Sequence, residues 1–232
     1  YGVCARRYSK VKAFAERFSI PQAYESAEAM LADPSIDIVY IAVPNDIHHH
    51  YIMAALAAGK HVLCEKAITT SGDELAEELA LAKEKGLVLE EAMTIYNMPL
   101  YHRLKEIVAS GKLGKLKMIQ APFGSYKDPD PQNRFFNPDL GGGALLDIGT
   151  YAVSFARFFM SESPKVEFSS MKPFETGVDE QSVTILRNPA DEMASVTLTF
   201  QAKMPKTGIV AFEEGYITVE EYPRADKATI HY

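Results

Sequence analysis

The stretch IDIVYIAVPNDIHHHYIMAALAAGKHVLCEK, residues Ile36–Lys66, predicts a strand, a helix and a second strand. Ile36–Val43 is an apolar, β-branched run, typical of a strand buried on both faces of a parallel sheet, and Pro44 ends it. The helix that follows ends at Gly59, because glycine tolerates the left-handed conformation common after a helix. His61–Cys64 is the second, shorter strand. The pattern is typical of a βαβ unit and so predicts an α/β fold.

Polar residues follow both predicted strands of this unit. Asn45 comes just after the first strand, and Glu65 and Lys66 come directly after the second. The two strands of a βαβ unit run in the same direction, so their carboxyl ends meet at one edge of the sheet. Open α/β sheets bind their ligands at that edge. A carboxylate and an ammonium placed there indicate a binding or catalytic site.

Two motifs in this stretch, AVPN-x-x-H at residues 42–48 and AL-x-AGKHVLCEK at residues 55–66, resemble the Gfo/Idh/MocA family of nicotinamide-dependent oxidoreductases. The resemblance implies that five of their residues bind the cofactor: Pro44, Asn45, His48, Glu65 and Lys66. It implies for His48 a role in bracing the loop or touching the cofactor. The family usually has a proline where Ala67 stands here, and that proline stiffens the turn holding the lysine.

Residues 1–96 are predicted to form a dinucleotide-binding domain. Gly2–Ala5 is interpreted as the end of the second strand of a Rossmann-type sheet, whose tip contacts the adenosine ribose. Arg6 and Arg7 follow without an acid, which favours NADP, with NAD also possible, and Arg6 is the first choice for the 2′-phosphate. The alternative is a solvated basic turn that opens the next helix. The resemblance implies a preceding first strand, G-x-G-x-x-G loop and helix, so we expect a longer native protein.

Composition limits the classes of function. The formal net charge of −7 argues against a nucleic-acid-binding surface, and no apolar run approaches the roughly 20 residues that span a bilayer. The two cysteines, Cys4 and Cys64, are far apart in the sequence, which favours a reducing compartment, most simply the cytoplasm. Three consecutive histidines, residues 48–50, point about 100° apart on a helix and cannot share one metal ion, so no metal site is predicted.

Residues 97–232 are predicted to form a second, α+β domain. Pro99 begins a helix that runs to about Ala109, and period-2 patterns then recur from Lys115 to Glu220. They predict an open, mostly antiparallel sheet with a helix between its strands, after the partial Rossmann-type parallel sheet of the first domain. The resemblance implies that such sheets pair face to face, giving a homodimer or homotetramer.

A second motif, LGGGALLDIGTY at residues 140–151, carries the predicted chemistry. Its glycines permit close backbone approach, and Asp147 and Tyr151, spaced i, i+4, share one face of the following helix. Oxidation of a carbinol needs a base for the hydroxyl proton. The resemblance implies Tyr151 as this acid/base, since the branch containing glucose–fructose oxidoreductase and dimeric dihydrodiol dehydrogenase has tyrosine there. Lys66 is predicted to assist it, and Asp147 and Arg134 to contact a carbohydrate or diol substrate.

Two functions from different classes follow. The first is an NAD(P)-dependent dehydrogenase or reductase acting on a sugar, polyol or diol, with Lys66, Asp147 and Tyr151 as the catalytic set. The alternative is a non-catalytic nucleotide- or ligand-binding protein of the same fold. Ala67 and Tyr96, which stand where relatives have proline and arginine, favour the alternative, whereas a binding role alone does not require all three catalytic residues.

Overall fold

A computed structural model describes residues 1–232, which divide into two compact units, Tyr1–Ala92 and Met93–Tyr232. Parallel strands and helices make up the first unit, and a mostly antiparallel sheet dominates the second. The predicted α/β class is therefore confirmed. The boundary predicted at residue 96 lies within a short helix of the second unit and stays a prediction.

The first unit contains two parallel sheets. One pairs β1 (Gly2–Cys4) with β2 (Gln22–Tyr24), and the other has the order β3 (Ile38–Ile41), β4 (His61–Cys64), β5 (Leu89–Glu91). Helix α1 (Tyr8–Phe18) joins β1 to β2, and α2 (Ala27–Leu31) follows with Ser26 as its N-cap. Helix α3 (His48–Ala57) joins β3 to β4, and α4 (Gly72–Lys85) joins β4 to β5. The predicted βαβ unit is therefore present.

The core of this unit lies against one face of the three-stranded sheet. It combines alternate strand residues such as Val39 and Val62 with Ile52 and Leu56 of α3. Ile38 and Tyr40 point to the other face and are more than half exposed. The prediction that the first strand is buried on both faces was therefore wrong, because helices α3 and α4 contribute to the core on one face only.

The sequence pattern predicts that two helices of this unit bury apolar faces made of Val11, Phe14, Ala15 and Phe18 in α1 and of Leu75, Leu79 and Ala82 in α4, but the structure buries different faces. In α1, Val11 and Ala15 are buried as expected, but Phe14 and Phe18 are about half exposed. In α4, the buried residues are Glu78 and Ala82, whereas Leu79 is 51% exposed. The buried face of α4 thus includes the acidic Glu78, whereas the periodicity predicted that Leu79 would be buried.

The second unit opens with α5 (Thr94–Asn97) and α6 (Pro99–Ala109), the latter with the predicted bounds. A single sheet of seven strands follows: β6 (Leu116–Gly124), β7 (Lys165–Pro173), β8 (Asp179–Arg187), β9 (Met193–Thr199), β10 (Gly208–Phe212), β11 (Tyr216–Val219) and β12 (Thr229–His231). The spatial order is β12-β11-β10-β6-β9-β8-β7, and only the central pair β6–β9 is parallel. The predicted open, mostly antiparallel sheet is confirmed. The sequence Glu213-Glu214-Gly215 also predicts a hairpin turn, and this turn joins β10 to β11.

Helix α7 (Thr150–Phe159) lies between β6 and β7 in the chain and packs on the sheet. Its inward residues, including Phe155 and Ala156, join Ile119, Val196 and Val210 of the strands in the core of this unit. This packing fixes the helix that carries Tyr151. None of the helices combines the length and hydrophobicity that crossing a membrane requires.

Candidate active site

The predicted site residues of the first unit follow the carboxyl ends of its parallel strands. Asn45 begins a short 3-10 helix after β3, and Pro44 is its N-cap residue. Glu65 and Lys66 come directly after β4, where the Glu65 N–H donates to Ile41 O at 2.9 Å. The structure thus brings the two predicted segments to one edge of the sheet. Arg6 follows the end of β1 in the other sheet and is exposed.

Glu65 is tied to a tyrosine of the exposed sheet face. The Tyr40 hydroxyl donates to Glu65 Oε1, and this hydrogen bond, together with partial desolvation, raises the pKa of Tyr40 to about 12. Tyr40 therefore stays a neutral donor at physiological pH. This hydrogen bond restricts the orientation of the Glu65 side chain, which directly precedes Lys66.

The segment after Lys66 is held by contacts to three neighbouring elements. His48 at the start of α3 lies with Nδ1 2.9 Å from Ala67 O and 3.2 Å from Ile68 O. The Ile68 N–H donates to Glu91 Oε1 of β5 at 2.9 Å, and Thr69 Oγ1 donates to Glu74 Oε2 of α4 at 2.7 Å. The Lys66–Ala67 peptide bond is cis. The loop is thus anchored on both sides of the ammonium-bearing residue.

The three consecutive histidines have three different environments. His48 is fully buried, His49 Nδ1 lies 2.9 Å from Glu78 Oε1, and His50 is exposed. Because both ring nitrogens of His48 contact backbone oxygens, its geometry favours bracing of the loop over contact with the cofactor. Burial raises the pKa of Glu78, and the neighbouring His49 opposes that rise.

The predicted site residues of the second unit lie on and beside the start of α7. Residues Leu145–Gly149 form a π-helix that continues directly into α7, so Asp147 lies in the π-helix and Tyr151 in the first turn of α7. The sequence predicted an ordinary helix here. π-Helical turns are rare and are frequent at functional sites.

Arg134 and Asp147, which are far apart in sequence, meet in the structure. Arg134 Nη2 lies 3.5 Å from Asp147 Oδ1, the Asp147 side chain is largely buried, and the Arg134 side chain is 66% exposed. The guanidinium also lies over the ring of Phe135, 4.2 Å from its centroid. Tyr151 packs near Phe123, with ring centroids 6.2 Å apart. Arg134 thus contacts Asp147 of the π-helix, and Tyr151 lies in the first turn of the helix that follows.

Two glycines of the LGGGALLDIGTY motif allow other parts of the same chain to pack closely against the backbone. A Cβ at Gly142 would lie only 2.7 Å from Asn137 O, and Gly143 has a φ of +118°. A Cβ at Gly143 would overlap Asp179 Oδ1, while Asp179 Oδ2 accepts a hydrogen bond from Leu145 N at 2.8 Å. Burial raises the pKa of Asp179. These glycines thus let the loop and β8 approach the start of the π-helix.

Three acidic residues that support the site were not found from the sequence. Glu78 and Glu91 anchor the region around His48 and Ile68, and Asp179 anchors the π-helix. The only sequence signal for Glu78 was its place among the apolar residues of α4. Asp179 lies 34 positions from its partner Leu145, and no local pattern connects them.

Three hydrogen-bond donors of the first unit have the chemistry that a dinucleotide requires. Arg6 offers a guanidinium for a phosphate, Asn45 offers an amide, and Lys66 offers an ammonium. Asn45 and Lys66 are half-buried, so their groups are partly shielded from water. The donor set therefore fits NADP or NAD.

Comparison with known proteins gives consistent matches over both units. Residues 1–93 match the family model described as "Oxidoreductase family, NAD-binding Rossmann fold", and residues 101–218 match the GFO/IDH/MocA C-terminal domain. Trans-1,2-dihydrobenzene-1,2-diol dehydrogenase of Xenopus tropicalis is 33% identical over 94% of this chain and 66% of its own length. D-xylose 1-dehydrogenase (NADP(+)) 2 of Haloferax volcanii is 37% identical over 85% of this chain and 61% of its own length.

A solved structure, that of a 3-ketoreductase from Actinomadura kijaniata in complex with NADP and TDP-benzene, is similar with a TM-score of 0.85 and 26% identity. The match covers 99% of this chain and 74% of that one. The chain spans less than two thirds of the length of the two curated relatives.

Proposed function

Because the chain belongs to the Gfo/Idh/MocA family of oxidoreductases, we propose that it acts as an NAD(P)-dependent dehydrogenase or reductase on a sugar, polyol or diol. The observation that carries the proposal is the retention of Lys66 at the carboxyl end of β4 together with Asp147 and Tyr151 at the start of α7. The relatives named for a diol and for D-xylose support the substrate class.

We assign the cofactor to the first unit. Arg6 would hold the 2′-phosphate of NADP, and Pro44, Asn45, Glu65 and Lys66 would line the remainder of its site at the carboxyl edge of the sheet. The nicotinamide supplies or accepts the hydride when the cofactor is bound. NADP is favoured over NAD because Arg6 follows β1 without an acid, and one relative is named for NADP.

The protein's own part in the reaction is to hold substrate and to move a proton. Tyr151 Oη removes the proton from the substrate hydroxyl during oxidation and returns it to the carbonyl oxygen during reduction. The Lys66 ammonium favours the phenolate and donates to the same oxygen. Asp147 and Arg134, which already lie 3.5 Å apart, would orient the other hydroxyls of the substrate.

Replacement of the phenol tests the proposed chemistry. We expect Tyr151→Phe in the intact protein to lower kcat by about 100-fold or more, in the range typical for loss of a general acid/base. Reduction of NADP⁺ by D-xylose or by trans-1,2-dihydrobenzene-1,2-diol is followed by NADPH absorbance. Tyr216→Phe is the matched control, because Tyr216 stacks on His231 through its ring and the variant keeps that ring. Unchanged turnover in Tyr151→Phe would refute the acid/base assignment.

A double-mutant cycle tests whether Lys66 and Tyr151 act as a unit. Residues of one catalytic set show strongly non-additive effects, so Lys66→Ala should lower kcat far less in the Tyr151→Phe background than it does alone.

Fluorescence titration with NADPH distinguishes the enzyme from the alternative function. Binding of NADPH without turnover of any sugar or diol would favour a non-catalytic, ligand-binding role.

We also infer that the protein self-associates through the open sheet. Apolar residues of two neighbouring strands, Val166, Phe168, Met171 and Val183, are 42–62% exposed, and such patches mark interaction surfaces. Sedimentation equilibrium of the intact protein measures whether it is a homodimer or homotetramer.

We further infer a reducing compartment. Both cysteines are free thiols, which supports a location in the cytoplasm.

A further inference from the structure

The ring of His48 is surrounded by acceptors alone. Its side chain has no exposed surface, and Nδ1 lies 2.9 Å from Ala67 O while Nε2 lies 2.9 Å from Val43 O. Ile68 O is a second neighbour of Nδ1 at 3.2 Å. All three partners are backbone carbonyl oxygens, which accept hydrogen bonds and cannot donate them.

A neutral imidazole cannot satisfy this arrangement. It carries one N–H, so one ring nitrogen would present its lone pair to a carbonyl oxygen at hydrogen-bonding distance. Without exposed surface, that nitrogen would be left as an unsatisfied buried polar group, which is costly. We infer that His48 is an imidazolium that donates from both nitrogens and thereby positions the loop that carries Lys66.

A buried cation requires a compensating charge, and Glu78 of α4 supplies it. Glu78 is fully buried, interacts electrostatically with both His48 and His49, and has one oxygen, Oε2, without a hydrogen-bond partner. The other titratable groups of the surrounding elements include Cys64 at the end of β4 and Glu65 and Lys66 after it, His49 of α3, Glu74 and Glu77 of α4, and Glu91 of β5. Among the carboxylates, Glu78 is the fully buried one that interacts electrostatically with His48, which makes it the countercharge.

The imidazolium connects two segments of the proposed site. Nε2 donates to Val43 at the end of β3, just before Pro44 and Asn45, and Nδ1 donates to Ala67, just after Lys66. Both donations exist only while both nitrogens are protonated. The effect on catalysis rests on the proposed function, whereas the protonation state does not.

Nitrogen-15 NMR of the histidine-labelled intact protein tests the protonation state directly. We expect both ring nitrogens of His48 to have the chemical shift of protonated nitrogen at neutral pH. The signals are assigned by their loss in His48→Gln, or from through-bond connectivities if that variant does not fold. A nitrogen with the shift of an unprotonated one at neutral pH would overturn the inference.

Replacement of the countercharge supplies a second readout that a merely structural role would not change. In Glu78→Gln, one ring nitrogen of His48 should change at neutral pH from the chemical shift of a protonated nitrogen toward that of an unprotonated one, because the cation loses its compensating charge. Unchanged His48 signals in this variant would overturn the assignment of Glu78.

The kinetic consequence is measured with His48→Gln and, as the matched control, His50→Gln. Glutamine donates from one atom and cannot reach both segments, so kcat should fall about 10- to 100-fold because Lys66 is misplaced. His50 is exposed on the same helix, and its variant should keep the wild-type kcat. Wild-type kcat in His48→Gln would refute the positioning role. Absence of turnover in the unmodified protein would instead refute the proposed function and leave the NMR result standing.

Discussion

The thiol of Cys64 is the last side chain of β4, next to Glu65 and Lys66, and has no exposed surface. Burial, with smaller contributions from nearby carboxylates, raises its pKa to about 12. The thiolate is the reactive form of cysteine. At pH 9, a thiol with that pKa is ionised in only about one molecule in a thousand, against about three quarters for an ordinary thiol with a pKa of about 8.5. We therefore expect Cys64 to resist iodoacetamide until the protein unfolds.

Single-cysteine variants make this measurement specific. Cys4→Ser leaves only Cys64, and mass spectrometry should detect alkylation in urea but not in buffer. Cys64→Ser leaves Cys4, which is partly exposed although its pKa is also raised, and should be alkylated in buffer more quickly. Rapid native labelling of Cys64 at pH 8 would contradict the burial of the β4 end.

How far individual side chains could be predicted depends on whether their partners are close in sequence. Asn45, Glu65 and Lys66 were placed correctly at one sheet edge, because strand direction in a βαβ unit fixes where each strand ends. The Arg134–Asp147 ion pair and the Asp179–Leu145 hydrogen bond join distant segments, so no local pattern contains them. Glu78 was missed for another reason: periodicity assumes that buried positions are apolar.

The π-helix at Leu145–Gly149 depends on Gly143, which lies two residues before it. Gly143 has a φ of +118°, and any side chain there would meet the Asp179 carboxylate that accepts from Leu145 N. Gly143→Ala should lower the free energy of unfolding by about 1–3 kcal/mol, the usual cost of a strained backbone position. It should also lower kcat, because Asp147 and Tyr151 follow this turn.

Urea denaturation and NADPH-linked kinetics measure the two effects. Gly72→Ala is the control, because Gly72 has open space around its Cβ position and lies at the start of α4. That variant should change the stability by no more than a few tenths of a kcal/mol, within the range of ordinary surface substitutions. Equal stability of the two variants would show that the turn tolerates a side chain.

Element bounds were predicted better than buried faces. Pro99 marked the start of α6, because proline favours the first turn of a helix through a local backbone effect. Buried faces were predicted less well, since Phe14 of α1 and Leu79 of α4 were expected to be buried and are about half exposed. A period of 3.6 residues tells which side chains share a face, but the neighbouring elements decide how much of that face is covered.

For the chain as a whole, the two units carry separate cores. Leu56 of α3 is fully buried in the core of the first unit, and Leu104 of α6 is 2% exposed in the core of the second. Leu56→Ala and Leu104→Ala remove the same atoms, and each should lower the free energy of unfolding of its own unit by about 2–5 kcal/mol. The two substitutions are therefore matched tests of independent cores.

Hydrogen exchange in the intact protein reports each unit separately, because local opening exposes the amides of one cooperative region at a time. In Leu56→Ala, amides of residues 1–92 should exchange faster while those of residues 93–232 keep their rates, and Leu104→Ala should give the reverse pattern. Faster exchange across both units in either variant would contradict separate cores and would mean that the chain unfolds as one cooperative body. The division matters for the proposed reaction, since the residues proposed to bind the cofactor lie in the first unit and Asp147 and Tyr151 lie in the second.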